Sequence, residues 1–403
     1  MNSKLHPAIA ALVIALAVLA LALWIWARGQ ARELGGPAQL LVGPSGHLYV
    51  QINDQLLEHG ADGEFLRRHD LSGPAASELV GGIGFLANGD LLLRRAANNR
   101  SLFARLRAFG RTTSTSPPAR DTPGTGLCRY RLEDSTCRPF GAQGLDPGAA
   151  FGLVIDPASG DVYLSDTSRH VLRKYASDGK PLAGPVGGFR FPNGLALVDG
   201  KLYVADTNMH RVAIVDPRND SFGDLIGTRD VVPDAARVAG QRWPTRIVRV
   251  GDAWWVNNMN TALEYGGIYV FDDDWHYRRR VELPPGADPI DLLPYRGEVL
   301  ISDWYNDRVY RVSAAGTLLG RFSSTGIDAL LGAYRHERLR YGLLSYAGVA
   351  VLAMVFLVLI VHALVAGSAL GAAGAGGAEP RRETATGTDP CWLYPDQRAL
   401  VRV

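Results

Sequence analysis

The side chains that could do chemistry recur at the spacing of a repeat. Asp166, Asp206 and Asp303 each close a short apolar run: Val-Tyr-Leu-Ser-Asp166, Leu-Tyr-Val-Ala-Asp206 and Val-Leu-Ile-Ser-Asp303. Four residues after each come His170, His210 and Asp307. Imidazoles and carboxylates at repeated places become metal ligands or acid–base groups if the fold brings them to one point. His170 and His210 belong to neighbouring units, and such a step near a rim is about 10 Å, too far for one zinc ion with bonds of about 2 Å. They are expected as exposed turn histidines, and the three aspartates as turn formers whose carboxylates accept backbone N–H groups. Cys128 and Cys137 bracket Arg-Tyr-Arg-Leu-Glu-Asp-Ser-Thr. They could close a disulfide across a hairpin in an oxidising compartment, or stand as two thiols in a reducing one. No nucleophile-elbow serine, phosphate loop, His-Glu-x-x-His or Cys-x-x-Cys occurs.

The unit that positions these residues is an apolar stretch, a turn, a strand ending in Leu/Tyr-Val, an Asp and a further strand. Clear copies begin at Phe151, Phe191 and Pro289. Weaker ones contain His47-Leu-Tyr-Val50, Asp90-Leu-Leu-Leu93 and Ala253-Trp-Trp-Val256. Each segment is short, rich in Val, Ile, Leu and Tyr, and punctuated by Gly and Asp, as short antiparallel strands require. The second-strand markers Tyr49, Leu92, Tyr163, Tyr203, Trp255 and Leu300 are spaced 43, 71, 40, 52 and 45 residues apart. Periods of about 40–50 with several strands in each mark propeller blades. The long interval is one period plus an insertion at about 101–127 in the second unit. That insertion holds Leu102, Phe103, Leu106 and Phe109 at helix-like spacing between Arg105, Arg107 and Arg111. The fold class predicted is therefore all-β: a six-bladed β-propeller over 37–322.

Two apolar runs flank it, 7–27 and 342–367, each longer than the roughly 18 residues that mark a transmembrane helix. The first ends in Trp24 and Trp26, aromatics suited to a membrane interface. It also exceeds the roughly 7–15 apolar residues of a signal peptide, so it is expected as an uncleaved anchor. Segments 1–6, 28–36, 323–341 and 368–403 are then a short tail, two linkers and a flexible Gly/Ala-rich tail. The near balance of 42 basic and 40 acidic residues gives no case for nucleic acid. Only four of the basic residues are Lys, a bias typical of GC-rich bacterial genomes. Charge counts beside the helices slightly favour a cytoplasmic propeller, but they have little force over a large translocated domain. The cysteine pair favours a propeller in the periplasm with both termini in the cytoplasm, anchored in the inner membrane.

The strong copies resemble the NHL repeat on Pro192, Gly194, Leu202 to Val204, Asp206, Thr207, Asn208, Arg211 and Val212. The resemblance implies a propeller and no single function. Wider relatives are the SMP-30/gluconolactonase and strictosidine-synthase-like propellers, which share a Pro-Asn-Gly start to a blade. Theirs implies a divalent cation such as Ca²⁺ at the axis, held by Glu, Asn and Asp from the start of several inner strands. Here Asn193 takes that place, and its equivalents are Ala38, Gly82, Phe151, Thr245 and Ile290, with Gln39 and Asp288 one or two residues away. One amide and one hydroxyl do not make such a cage, so no cofactor is expected. Under the alternative reading, a metal-dependent lactonase or esterase, Asn193 is a ligand.

Blades one and six are neighbours in a closed ring, so both links leave from one place. At no more than about 3.3–3.6 Å per residue, the first reaches only about 35 Å. The face they leave from is expected to carry His170, His210, Asp307, Asn257, Asn258, Trp243, Trp304 and Tyr305, with Asn193 near the axis, as a polar and aromatic ligand-binding face. The resulting expectation is a non-enzymatic scaffold or sensor whose partners are a membrane protein or envelope ligand and the lipid bilayer.

Overall fold

Runs such as Leu202-Tyr-Val-Ala205 are apolar at every position rather than at alternate ones, because each second strand is buried on both faces. The computed structural model describes residues 7–73, 77–97, 126–141 and 151–374. Blade 1 is β1 (Pro37–Val42), β2 (Leu48–Ile52), β3 (Gln55–His59) and β4 (Phe65–Asp70). In blade 2 the inner strand is split into β5 (Ser77–Leu79) and β6 (Gly84–Phe85), both paired with β7 (Leu91–Ala97). That blade continues through β8 (Gly126–Arg131) and β9 (Thr136–Pro139). Blade 3 is β10 (Phe151–Ile155), β11 (Val162–Asp166), β12 (Val171–Tyr175) and β13 (Pro181–Val186). Blade 4 is β14 (Pro192–Val198), β15 (Lys201–Asp206), β16 (Arg211–Val215) and β17 (Leu225–Asp230). A short helix, α2 (Asp234–Val238), leads to blade 5: β18 (Trp243–Val250), β19 (Ala253–Met259), β20 (Gly267–Phe271) and β21 (Tyr277–Arg280). Blade 6 is β22 (Pro289–Tyr295), β23 (Glu298–Asp303), β24 (Arg308–Ser313) and β25 (Leu318–Phe322). The blades are antiparallel meanders, and the chain is a six-bladed β-propeller.

The apolar core is divided among the six blade junctions, one cluster to each. Alternation along a strand feeds two junctions at once. Trp254 and Val256 pack towards blade 4, and Trp255 between them packs towards blade 6. Likewise Leu202 and Val204 face blade 3 while Tyr203 faces blade 5.

No strand is exchanged to close the ring: blade 1 is wholly N-terminal and blade 6 wholly C-terminal. Polar contacts hold this seam, with Ser302 Oγ donating to Ala38 O (2.7 Å) and Leu40 N to Asp291 Oδ2 (2.9 Å). A helix, α3 (Thr325–Gly374), completes it. Its first turns bury Ile327, Leu330 and Leu331 among Leu40, Leu57, Leu300 and Val309 of blades 1 and 6. Each such side chain contributes roughly 1.5–3 kcal/mol when removed from water. Ser324 starts the helix, its Oγ accepting from Ile327 N (3.3 Å) and bonded to His59 Nε2 (2.8 Å).

Two expected linkers are thus largely helical. The segment 28–36 is helical to Glu33, where α1 (Pro7–Glu33) ends, and 323–341 is helical from Thr325. No proline interrupts either, and the apolar residues of 327–334 recur at helical spacing and find a buried place on the seam. The helix also continues past 367 to Gly374. The insertion expected at 101–127 lies outside the described residues up to 125, as do the tail from 375 and Cys391.

The chain forms two compact units, Gly29–Tyr341 and the pair of terminal segments Met1–Arg28 and Gly342–Val403. Helices α1 and α3 are both long and apolar enough to cross a membrane, with mean hydropathy 2.9 over their most apolar windows. Within that unit they meet at Gly348, where a Cβ would lie 2.9 Å from Ala20 O and 3.2 Å from Trp24 Cβ. Small residues permit such close helix approach in lipid.

Candidate functional site

The polar residues of the repeat serve first to hold the ring. Asp166, Asp206 and Asp303 are fully buried at the ends of second strands. Asp206 accepts from Arg190 N (2.7 Å) and Arg211 Nε (2.9 Å), tying the segment before its own blade to the turn after β15. Asp303 does the same with Asp288 N (3.2 Å) and Asn306 N (3.1 Å). Asp166 accepts from Arg169 and Arg173. Burial pushes Asp206 above the usual carboxylate range despite Arg190 and Arg211. Asp288 is also raised, by burial and by the nearby Asp303 charge.

A second set of side chains joins neighbouring blades at five of the six junctions among the described residues. Thr167 Oγ1 donates to Pro192 O, Thr207 Oγ1 to Pro244 O, Asn257 Nδ2 to Pro289 O and Ser302 Oγ to Ala38 O, all at 2.7 Å. Between blades 1 and 2, Gln39 replaces this contact, donating to Gly81 O (2.7 Å) and accepting from Ile83 N (2.9 Å). The Asp-Thr of the fourth unit therefore has a structural meaning. Asp206 fixes the blade internally, and Thr207 fixes it to its neighbour. Over the same stretch, residues 189–215 match the NHL repeat. The six-bladed propeller thus carries an NHL repeat in its fourth blade.

No curated protein matches it. Similar solved structures include a virginiamycin B lyase from Staphylococcus aureus, 14% identical over 70% of this chain and 83% of that one, with a TM-score of 0.46. A gluconolactonase from Xanthomonas campestris is 15% identical over 68% and 84%, with a TM-score of 0.45. A nidogen/laminin complex gives 12% over 72% and 95%, also at 0.45. Such distant likeness carries no activity over to this propeller.

The structure separates the site residues read from sequence. Asn193 donates through Nδ2 to Thr207 Oγ1 within blade 4 (2.7 Å), engaging the hydroxyl that bonds Pro244 O of blade 5. His170 and His210 occupy equivalent left-handed turn positions, with φ of 61° and 54°. Each reaches the start of the next blade: His170 Nδ1 accepts from Phe191 N (2.9 Å), and His210 Nδ1 bonds Arg242 O (2.9 Å). Trp243 meets the His210 ring edge-on at 5.0 Å. Asn257 and Asn258 do not belong to a ligand-facing surface. Both are fully buried, because β19 is flanked by β18 and β20 and covered on both faces, and Asn258 Nδ2 donates to Val231 O (2.6 Å). Asp307 is also withdrawn, its carboxylate gripped by Arg338 Nη1 and Nη2 of α3 (2.6 and 2.8 Å). Trp304 and Tyr305 remain at the surface, joined edge to face at 4.9 Å. Tyr305, 57% exposed, donates to Glu264 Oε1 (3.4 Å), beside Tyr265 at 60% exposure.

An axial cage for a hard cation does not fit these residues. Asn193 is engaged as above, and Thr245 Oγ1 donates to Asn257 O (3.4 Å). The carboxylate that reaches the inner ring is Asp291, not Asp288, which instead accepts from Gly266 N (2.9 Å). Asp291 accepts from Leu40 N and Leu292 N (both 2.9 Å) and from Arg246 Nε (2.5 Å). A guanidinium already neutralises that carboxylate, and it would repel a second cation. Among the described residues, no group of three His, Cys, Asp or Glu side chains is placed to hold a metal ion.

One cluster escaped the sequence reading. Glu58 is buried and bonds His47 Nδ1 (2.8 Å), His69 Nε2 (2.7 Å) and Arg67 Nε (2.7 Å). Burial would raise its carboxyl, but these partners together with Tyr49 outweigh it and hold the group at about 2. Burial and the Glu58 charge in turn push Tyr49 up to about 12. A cavity of about 280 Å³ lies beside this cluster, between blades 1 and 2. Only strand register brings these residues together, with Tyr49 opposite Glu58 and Glu58 opposite Arg67.

Proposed function

We propose that the protein is a membrane-anchored NHL propeller that works by binding, as a scaffold or sensor at the bacterial cell envelope. One observation carries this reading: the polar side chains of the inner ring are spent on joining blades. The amide of Asn193, the hydroxyl of Thr207 and the carboxylate of Asp291 each hold a neighbouring group. A rigid ring with aromatic loops left exposed suits a partner surface. Tyr265, Trp304 and Tyr305 are the residues that would meet a membrane protein or envelope ligand. The Cys128–Cys137 disulfide, with Cα atoms 5.7 Å apart, supports a periplasmic propeller, and the two apolar helices support inner-membrane anchoring with both termini in the cytoplasm.

Purified full-length protein in detergent tests the reading against the lactonase or esterase alternative. Under the proposal, metal analysis finds no stoichiometric divalent cation, and Asn193→Ala leaves any background lactone or ester turnover unchanged. A bound cation, with turnover lost in Asn193→Ala, would replace binding by catalysis. A photo-crosslinker at Tyr305 in cells is expected to capture one discrete partner, whereas the same group at Tyr277 on the outer strand of blade 5 captures none. A reporter fused after Phe322 reads the compartment.

A further inference from the structure

The hairpin of β8 and β9 sets two arginines against each other. Arg129 pairs directly with Arg138 across the strands, and Arg131 pairs with Thr136 one step along the same face. Like charges directly opposite in an antiparallel pair are destabilising. Arg131 has partial compensation from Asp90 (3.8 Å) and Asp134 (3.5 Å). Arg129 and Arg138 have no ion pair among the described residues, and Arg129 Nε is buried without any hydrogen-bond partner. An unsatisfied buried donor of a charged group is costly unless something fills its place.

These arginines line a cavity of about 160 Å³ together with Asn88, Asp90 and Thr136; the Asn88 amide donates to Asp90 Oδ2 (2.7 Å) and the Thr136 hydroxyl to Asp134 Oδ1 (2.6 Å). The Cys128–Cys137 disulfide spans the same hairpin and holds Arg129 opposite Arg138, so the two cannot part by strand slippage. Two arginines without a contact ion pair among the described residues, Arg138 feeling Asp134 only through its charge, and an unfilled buried donor converge on one small cavity. We propose that this cavity binds a phosphate dianion, free or as the end group of a monoester, with Arg129 and Arg138 neutralising its two charges. A monoanionic carboxylate would leave one arginine unmatched. Guanidinium groups also present paired N–H donors that suit phosphate oxygens.

The test uses the full-length protein in detergent micelles, with inorganic phosphate, glycerol phosphate and acetate at matched ionic strength. Phosphate at ten times its dissociation constant is expected to raise the melting temperature by about 3 °C, and acetate to do nothing comparable. Arg138→Gln, an exposed change that the fold tolerates, and Arg129→Gln should each weaken phosphate binding roughly tenfold or more in calorimetry. Arg278→Gln, on the outer strand of blade 5, should leave it unchanged. In low-salt buffer without phosphate, Arg138→Gln should be at least as stable as the parent, because it removes the repulsion. Tighter binding of glycerol phosphate would assign the site to esters, and equal binding to the free ion. Acetate matching phosphate, or an Arg129→Gln/Arg138→Gln double variant that still responds to phosphate, would overturn the proposal.

Discussion

Reducing the Cys128–Cys137 bond should loosen one strand and leave the ring intact. β9 is the outermost strand of blade 2, all four of its residues are exposed, and only β8 pairs with it. The bond closes a separation of nine residues. Constraining a loop of that length removes about 8.7 cal/mol/K from the open state, or about 2.6 kcal/mol at 25 °C. Because an edge hairpin opens locally, the effect belongs to that local opening rather than to global stability. With RT near 0.6 kcal/mol, amide exchange through the opening should then accelerate about 80-fold. Hydrogen exchange of the peptide spanning 126–140, with and without reductant or in the Cys128→Ser/Cys137→Ser variant, reads this directly. The Phe140 amide, bonded to Leu127 O at 2.9 Å, is the marker, and amides of β23 serve as the control. Unchanged exchange in 126–140, or equal acceleration throughout the propeller, would refute the argument that the bond acts on a separately opening edge.

Glu58 should contribute acid-sensitive stability. Its folded pKa of about 2 lies below the ordinary 4.5, so the contribution is complete above pH 4.5 and disappears as pH falls towards 2. Its size is about 3 kcal/mol, and urea titrations from pH 6 to 2 should show this slope in the parent and lose it in Glu58→Gln. Thr207→Val removes the donor to Pro244 O and the acceptor of the Asn193 amide, which should cost about 1–3 kcal/mol in denaturant titrations. Leu331→Ala empties a buried place on the seam and should cost about 2–5 kcal/mol, whereas the exposed Leu339→Ala costs little. Gly152→Ala places a Cβ 2.1 Å from Asn193 O, so lowered expression and melting temperature are expected even though this position is only one methyl larger.

The fold was legible because the second strands are buried on both faces. That makes Val162–Leu164, Leu202–Ala205 and Val299–Ile301 read as unbroken apolar runs that recur along the chain. The helices were legible from length and hydropathy alone. Side-chain roles were less so, because they depend on neighbours that sequence spacing does not name. Asn257 and Asn258 read as polar loop residues, yet β19 runs on to Met259 and buries them. Aligning the units on their second strands puts Ile290 at the axial position with Asp288 two residues away, but irregular register in β22 brings Asp291 there instead. Glu58, His47 and His69 sit on or beside three different strands, so no one-dimensional pattern unites them. The start of α3 looked like a spacer because its apolar stripe is short and its destination, the junction of blades 1 and 6, lies far away in sequence.

That junction has a mechanical consequence. Both covalent connections to the terminal helices enter the propeller there, through Gly35 and Gly36 beneath Trp304 and through the Ser324 start of α3. Tension along either helix is therefore delivered to the one interface that no connecting segment crosses. The other five junctions are linked in series by continuous chain, while this one relies on side-chain bonds and a helical wedge. Under load the ring would part at this seam first, leaving each blade folded: a fuse between the anchors and the body they carry.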